Sequence, residues 1–476
     1  MSGSSKGYPS GERVWHPRGG GRASRVFAWM CLMLSGAALG TVVLLPALKG
    51  MPRGYLPVLL GACLAAGAWK MRRRWGHVAP AGPLLIIGAI AALGVQCGLI
   101  LWLRPEPWYD ALNVYRQARE YSLTGSMPRL TYYPPLQIWY YGWLFRLFGG
   151  SVLVAQLSNV VPAAGLLVAL YRLGSAGGNR RAGGWAVVCC AAYPSFIFYI
   201  LVTPYYFYSF TFLVVLSGYL AVRSIAGGGR YAVASGLSSG AAALAQPVWL
   251  LAPLVAAVFY AVSKQDWKIR LSRWMLFATT FLLVLVPWTL RNLQVHRGLV
   301  PVCTAGGFVL YSANNPCSDG LYSSLADQVD VNDPVEMLRI SRSHARRALQ
   351  FVVGHPARFL RLALRKFLFT WGTEATYGEL LNVKGEYRRW LDDGVSLVVQ
   401  TAWSGLVILW MAASLRIVRN PRRLNPVMLW CAVVFLLLSA VYVIFEGGAR
   451  HHLPMVPLIL TWISNAVVEE RMRRDV

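Results

Sequence analysis

Charged residues are scarce in this chain. They make up 14% of its 476 residues, whereas 56% are hydrophobic, and the mean hydropathy is +0.47. A soluble protein carries about 25% charged residues, so the composition excludes an ordinary soluble domain. Long apolar runs recur along the chain, and about 20 apolar residues cross a hydrocarbon core about 30 Å thick. The sequence therefore predicts an all-α integral membrane protein.

Acidic residues are the scarcer charged type, with 19 Asp and Glu against 46 Lys and Arg and a formal net charge of +27. Such a balance first points to nucleic-acid binding. The basic residues, however, stand in short clusters between the apolar runs, which is the positive-inside pattern of membrane proteins. We therefore predict membrane lipids, and no nucleic acid, as partners.

Twelve apolar segments are predicted to be transmembrane spans, and the Lys and Arg clusters orient them with both termini in the cytoplasm. The segments are 26–48, 55–69, 83–103, 151–171, 182–203, 206–225, 231–246, 248–262, 271–289, 395–415, 427–445 and 453–468. Counting the aromatic segment 136–148 as a further span would move five basic clusters outside. We therefore predict that it forms a juxtamembrane helix at the outer interface.

This topology leaves two large outer regions and divides the chain into five parts. They are a cytoplasmic basic tail (1–25), a transmembrane module (26–289) that contains the outer loop 104–150, an outer loop domain (290–394), C-terminal transmembrane helices (395–468) and a cytoplasmic tail (469–476). Because Ala, Gly and Arg usage is typical of bacteria, we predict a multi-pass protein of a bacterial plasma (inner) membrane.

The proposed spans contain almost no Asp, Glu, Lys or Arg, and the acidic residues concentrate in the outer loops. Asp110 follows Trp108 and Tyr109 and opens a helical pattern. An Asp in such a position is usually a helix N-cap, and it also suits a catalytic carboxylate. Downstream, Tyr133 precedes Pro134-Pro135, which forces an extended residue and begins a new helix.

Three segments, scattered between residues 83 and 468, resemble GT-C-fold membrane glycosyltransferases. The nearest branch contains the protein O-mannosyltransferases and the lipid A aminoarabinose transferases. The first segment is the outer Asp110 followed by YYPPL (132–136). The second is VPWTLRNLQVHRGLVPVCTAGGFVLYSANNP (286–316), which leaves a span as Pro-Trp-x-x-Arg-Asn and ends in Asn-Asn-Pro. The third is GARHHLPMVPLIL (448–460), which is similar to an Arg-containing entry to a late span.

The resemblance implies transfer of a sugar from a polyprenyl-phosphate-linked donor to an acceptor hydroxyl on the non-cytoplasmic face, with inversion. Asp110 would be the general base. Arg291, Arg450 and His451 would bind the donor phosphate, although Arg291 also fits an arginine that snorkels to the interface. Four further residues are candidates for the acceptor or donor site, and turn chemistry is the alternative for the two asparagines. These candidates are Tyr109, Tyr133, Asn314 and Asn315.

The cofactor remains open, because the sequence departs from the family pattern at two places. His451 replaces the usual aromatic residue after the late arginine. The turn at 203–206 lacks the second acidic residue of metal-using relatives. We therefore assign no metal ligands, and a divalent metal is not supported by a second outer acid.

The outer domain contains two predicted basic amphipathic helices, from Pro334 to about Val353 and from Pro356 to about Trp371. Two interpretations are open for them: packing on the domain core with a solvated basic face, or contact with anionic lipid. Cys303 and Cys317 lie in the same domain and would form a disulfide if that side is oxidising.

The sequence leaves three hypotheses for the function of the protein. The first is a hexosyl- or pentosyltransferase that acts on a lipid, glycan or protein acceptor. The second is a lipid or sugar transporter or flippase, which the scarcity of charge within the spans disfavours. The third is an anchoring protein in which Asp110 is only a helix cap.

Overall fold

A computed structural model describes residues 22–48, 55–75, 82–202, 205–263, 265–321, 332–374 and 387–468. Throughout these ranges the regular secondary structure is helical, and none of them contains a β-strand. This agrees with the predicted all-α class.

The first part of the chain forms twelve α-helices, several of them short. They are α1 (Arg22–Leu48), α2 (Tyr55–Trp75), α3 (Gly82–Leu103), α4 (Tyr109–Thr124), α5 (Pro135–Phe148), α6 (Val152–Ser158), α7 (Val160–Ser175), α8 (Arg180–Ala191), α9 (Pro194–Phe198), α10 (Phe207–Gly227), α11 (Gly229–Ala245) and α12 (Ala252–Val262).

The remaining helices cover the predicted outer domain and the C-terminal part of the chain. They are α13 (Trp267–His296), α14 (Ala305–Ser312), α15 (Pro334–Gly354), α16 (Pro356–Gly372), α17 (Tyr387–Arg419), α18 (Pro426–Ile444) and α19 (Val456–Val468). A 3₁₀ turn at Ala449–His451 and another at Leu453–Met455 connect α18 to α19.

Seven helices of the described chain are long and apolar enough to cross a membrane. An eighth results if α8 and the segment Pro194–Leu201, which meet at 59°, form one bent span. The predicted count of twelve is not confirmed. The segments predicted at 55–69, 231–246, 248–262 and 453–468 lie on α2, α11, α12 and α19, whose apolar stretches are shorter or more polar than a full span requires.

The bundle packs closely where small residues let helix backbones approach. α11 contacts α10 and α13. A Cβ at Gly236 would stand 2.3 Å from the Phe277 carbonyl oxygen, and one at Gly240 would stand 2.9 Å from that of Phe281. Small residues spaced four apart are a typical device for such membrane-helix contacts. On the other side of the bundle, α17 packs against α1 and α2.

The aromatic segment predicted at 136–148 forms α5, which is not among the candidate spans and packs against α4 and α11. The two predicted outer regions contact each other. The Thr304 amide donates to the Thr131 carbonyl at 2.8 Å, and the Thr131 hydroxyl is 2.5 Å from the His296 ring. Both regions therefore meet at one end of the bundle, where Asp110 lies.

Candidate active site

Asp110 lies in the first turn of α4 and does not cap it. The N-cap is Trp108, which makes no side-chain cap hydrogen bond, so the capping interpretation of Asp110 is wrong. Tyr109, immediately before it, has a φ of 44°. That is the left-handed region, which costs a non-glycine residue roughly 1–2 kcal/mol. The chain therefore enters α4 through a strained residue, and the Asp110 carboxylate is left for other partners.

Those partners are two phenols and one guanidinium. Tyr133 donates its hydroxyl to Asp110 Oδ1 at 3.2 Å, and Tyr205 donates to Oδ2 at 3.0 Å. Arg450 Nη1 stands 3.5 Å from Oδ2. The side chains of Asp110 and Arg450 keep 35% and 31% of their surface exposed. The carboxylate is thus oriented and accessible.

Local structure explains how the two phenols reach Asp110. Pro134 is extended, with φ −62° and ψ 145°, and α5 begins at the next residue, so Tyr133 is held at a rigid corner. The Asn113 amide donates to the Tyr133 oxygen at 2.9 Å, which leaves the phenol proton for Asp110. Tyr205 is fixed through its backbone, because Tyr141 donates a hydrogen bond to its carbonyl at 3.2 Å.

Arg450 joins Asp110 to a second carboxylate that follows α18. Its Nη2 is 3.5 Å from Glu446 Oε1. Glu446 is buried, and His451 Nε2 approaches it at 3.4 Å while the His451 ring stacks on Tyr442. One guanidinium therefore bridges an accessible acid and a buried acid.

The next residue, His452, meets a third carboxylate. His452 Nε2 is 2.8 Å from Glu374 Oε1, and its Nδ1 faces the Thr370 carbonyl. Tyr193 and Ser195 also donate to Glu374, at 2.9 and 2.5 Å. Both ring nitrogens of His452 therefore face oxygen atoms, which fixes the orientation of the ring from both sides.

The tripeptide Arg450-His451-His452 thus offers its side chains to three acids from three parts of the chain. Asp110 comes from α4, Glu446 follows α18, and Glu374 follows α16. Glu374 and His452 are fully buried, and the His452 ring stacks on Trp403 at 3.9 Å. Glu374 was missed from sequence; its only signal is an acidic residue directly after a basic amphipathic helix.

The local charges shift the pKa values of this cluster. Burial alone would raise the pKa of Glu446, but His451 and the charge of Arg450 outweigh it, so that pKa lies below its usual value. The pKa of Arg450 is raised well above its usual value, first by Tyr205 and, against the opposing effect of burial, by Glu446. Burial lowers the pKa of His451. His451 is therefore neutral near pH 7 and brings no full charge to a phosphate.

Lys366 on α16 is a second buried cation beside the cluster, and it was also missed from sequence. Its ammonium donates to Asn314 Oδ1 at 2.7 Å and to the Ile444 carbonyl at 3.1 Å. Burial lowers its pKa to about 8, although Glu446 opposes this shift. Lys366 therefore ties α16 to the end of α18, where Glu446 begins the turn to Arg450.

The other predicted site residues lie apart from the Asp110 carboxylate. Arg291 donates to the Met127 and Pro128 carbonyls at 3.1 and 2.5 Å, and its guanidinium lies over the Trp288 ring. It lines an open cavity of about 400 Å³ with Ser126, Met127, Trp139, Pro287 and Trp288.

The two predicted asparagines, Asn314 and Asn315, form hydrogen bonds with backbone atoms. The Asn314 amide donates to the Leu310 and Ile444 carbonyls, at 2.8 and 3.0 Å. Asn315 donates to the Tyr311 carbonyl and accepts from the Cys317 amide. Both side chains are buried, as expected for the turn interpretation. Tyr109, in contrast, is 73% exposed.

Cys303 and Cys317 are free thiols, so the disulfide is not formed in this structure. Among the described residues, no group of three or more His, Cys, Asp or Glu is arranged to hold a metal ion. The space between Asp110 and Glu446, where two acids would share a cation, is occupied by the Arg450 guanidinium. These residues do not fit a metal at that position.

Neither a protein-family model nor a curated protein sequence matches the chain, but solved structures do. The Archaeoglobus fulgidus oligosaccharyltransferase in complex with Zn and sulfate has a TM-score of 0.50 at 13% identity, over 82% of this chain and 49% of that chain. The oligosaccharyltransferase AglB from Archaeoglobus fulgidus, with an inhibitory peptide and a dolichol-phosphate, has a TM-score of 0.49 at 12% identity, over 80% and 50%. ArnT from Cupriavidus metallidurans, bound to undecaprenyl phosphate, has 0.41 at 14% identity, over 82% and 78%.

This chain therefore spans about half the length of the two oligosaccharyltransferase structures. At such low identity, the likeness at TM-score 0.50 shows the fold alone. The chain has the GT-C fold of membrane glycosyltransferases, which confirms the fold predicted from the three sequence segments.

Proposed function

We propose that this protein is a membrane glycosyltransferase that moves a sugar from a polyprenyl-phosphate-linked donor to an acceptor hydroxyl, with Asp110 as the general base. The observation that carries the proposal is the Asp110 carboxylate. It is accessible and is oriented by Tyr133, Tyr205 and Arg450, within a GT-C fold. The donor class rests on the sequence resemblance of the three segments.

In the proposed reaction, the acceptor oxygen attacks the anomeric carbon while Asp110 takes the hydroxyl proton. The bond from the anomeric carbon to the donor phosphate breaks with inversion, through an oxocarbenium-like state, and the polyprenyl phosphate leaves with its negative charge. The hydrogen bonds from Tyr133 and Tyr205 fix which oxygen lone pairs of Asp110 face the acceptor. The proposed reaction specifies only that the acceptor has a hydroxyl group.

The leaving phosphate needs a positive charge nearby. Arg450 is the cation beside Asp110, and about a third of its side chain is exposed. We assign it to the donor phosphate, with Glu446 holding the guanidinium from the buried side. His451 then acts through Glu446, since the low pKa of its ring leaves it neutral.

The test is transfer by the purified full-length protein in lipid vesicles, with short-chain polyprenyl phosphates that carry mannose, glucose or aminoarabinose. General-base catalysis contributes roughly 10²–10⁴-fold, so Asp110→Asn should lower turnover by about that factor. The melting temperature should stay near that of the wild type. The matched control is Glu336→Gln, which neutralises an exposed acid on α15 that is paired with Arg339.

Undiminished turnover by Asp110→Asn with a donor that the wild type uses would refute the base assignment. The acceptor class would be identified by mass spectrometry of envelope glycolipids and glycoproteins, from cells with and without the protein.

A further inference from the structure

The outer helices α15 and α16 present an exposed surface in which arginines and large aliphatic residues alternate. We call it the Arg/Leu face, and its members are Arg346, Leu349, Val353, Arg358, Leu360, Arg361, Leu364 and Arg365. The aliphatic members are 57% (Leu349), 80% (Val353), 70% (Leu360) and 59% (Leu364) exposed. Leu349 and Val353 are four residues apart, as are Leu360 and Leu364, so each pair is adjacent on its helix face. Exposed apolar patches usually mark a contact surface.

The same face carries positive charge that its own helices do not neutralise. α16 contains no acidic residue, and the one acid of α15, Glu336, is paired with Arg339 near the other end of that helix. The Arg358 guanidinium donates to the Pro316 carbonyl, which holds the guanidinium without neutralising its charge. A partner for this face therefore needs both negative charge and apolar material.

The packing of α16 places this face beside the membrane-spanning bundle. α16 packs against α1 and α18, which are both candidate membrane spans. Its inward side contains Leu362, Ala363, Lys366, Thr370 and Trp371, all buried. The α16 members of the Arg/Leu face lie on the opposite side of a helix that packs directly on the spans.

From this geometry we infer that the Arg/Leu face lies on the bilayer surface and binds the phosphates of anionic phospholipids. The aliphatic residues enter the boundary between headgroups and acyl chains, and the arginines extend to the phosphates. This is the binding mode of an interfacial amphipathic helix. The occupant is bulk anionic lipid, so the inference does not depend on the proposed glycosyl transfer.

The direct test is photocrosslinking of the full-length protein in nanodiscs of phosphatidylcholine and phosphatidylglycerol. A benzoylphenylalanine replaces Val353 or Leu360, and in the control it replaces Arg339. The control position lies on α15 about 20 Å from Val353, given a rise of about 1.5 Å per residue. We expect phospholipid adducts at 353 and 360, enriched in phosphatidylglycerol, and several-fold fewer at 339.

The requirement for positive charge is tested in the protein that carries benzoylphenylalanine in place of Leu360. The pair Arg361→Gln and Arg365→Gln should lower the phosphatidylglycerol preference about thirtyfold, because each basic residue near an anionic surface contributes about 1 kcal/mol. The pair Arg339→Gln and Arg342→Gln removes equal charge and should leave the preference unchanged.

Adducts to another protein copy, or no adduct at 353 and 360, would overturn the inference. Lipid adducts without a preference for phosphatidylglycerol would overturn its anionic part. The crosslinks in the otherwise wild-type chain decide the membrane contact even if the double variants do not fold.

Discussion

Asp110 and Glu374 are two carboxylates with similar partners and opposite environments. Each accepts hydrogen bonds from two hydroxyl groups, and each faces one residue of the tripeptide 450–452. Asp110 is 35% exposed, whereas Glu374 has no exposed surface. The partners of the two acids are alike, and the difference between them is access to solvent.

The energetics follow the same division. An ion pair that is about one-third exposed, such as Asp110–Arg450, contributes roughly 0–1 kcal/mol to stability. Its geometry therefore adds little to the free energy of folding. The buried pair Glu374–His452 has lost its hydration, and removal of one partner leaves an uncompensated charge. We therefore expect the first pair to control activity and the second to control stability.

The largest expected effect on stability is at Glu374. Glu374→Ala removes the buried acceptor that His452, Tyr193 and Ser195 share, and breaking such a buried pair costs roughly 3–5 kcal/mol. Thermal unfolding in detergent should show a clear fall in melting temperature, and the fraction that stays folded should keep its transfer activity. An unchanged melting temperature, or selective loss of turnover, would break the proposed division between the two acids.

A smaller effect, which depends on pH, is expected at Lys366, the buried lysine that contacts the end of α18. Burial holds its pKa near 8, below the ordinary 10.5. The unfolded chain therefore binds more protons between about pH 8 and 10.5, and stability should rise with pH across that window, by up to about 3 kcal/mol.

The measurement is the melting temperature between pH 7.5 and 9.5. Lys366→Met should abolish the rise that this lysine causes, whereas Lys268→Met, at an exposed position at the start of α13, should retain it. The same slope in wild type and Lys366→Met would contradict the assignment.

The smallest expected effect comes from removing one tyrosine hydroxyl beside each of the two acids. Tyr205→Phe removes one hydrogen bond to the Asp110 carboxylate, and a bond to a charged group is worth roughly 1.5–3 kcal/mol. We expect kcat to fall at least about tenfold with KM and melting temperature nearly constant. Tyr193→Phe removes the corresponding bond to Glu374 and should lower the melting temperature while kcat is unchanged. Identical behaviour of the two variants would show that access does not separate the acids.

Several features could be predicted because they depend on short stretches of sequence. Hydropathy gave the all-α membrane class, and the distribution of basic residues excluded a span over 136–148, which the structure forms as α5. The motifs around Asp110, Val286 and Gly448 predicted the GT-C fold. The span count was less predictable, because hydropathy does not show where a helix bends or ends.

The partners of each side chain were decided by tertiary structure. Arg291 and Asn314 have suitable chemistry for a site, yet packing turned them to backbone carbonyls. Local patterns also gave no sign that Glu374 and Lys366 would be buried beside the tripeptide 450–452.

By itself the sequence determined the all-α class with long apolar helices and, through three segments that resemble a known family, the GT-C fold, because apolar periodicity and short motifs are local properties. It also named Asp110 and Arg450 as candidates. Only the tertiary structure paired Asp110 with Arg450, exposed one acid and buried the other. Those pairings join residues that are far apart in sequence, Asp110 with Arg450 and Glu374 with His452. They form only once the helices have packed and buried the second pair.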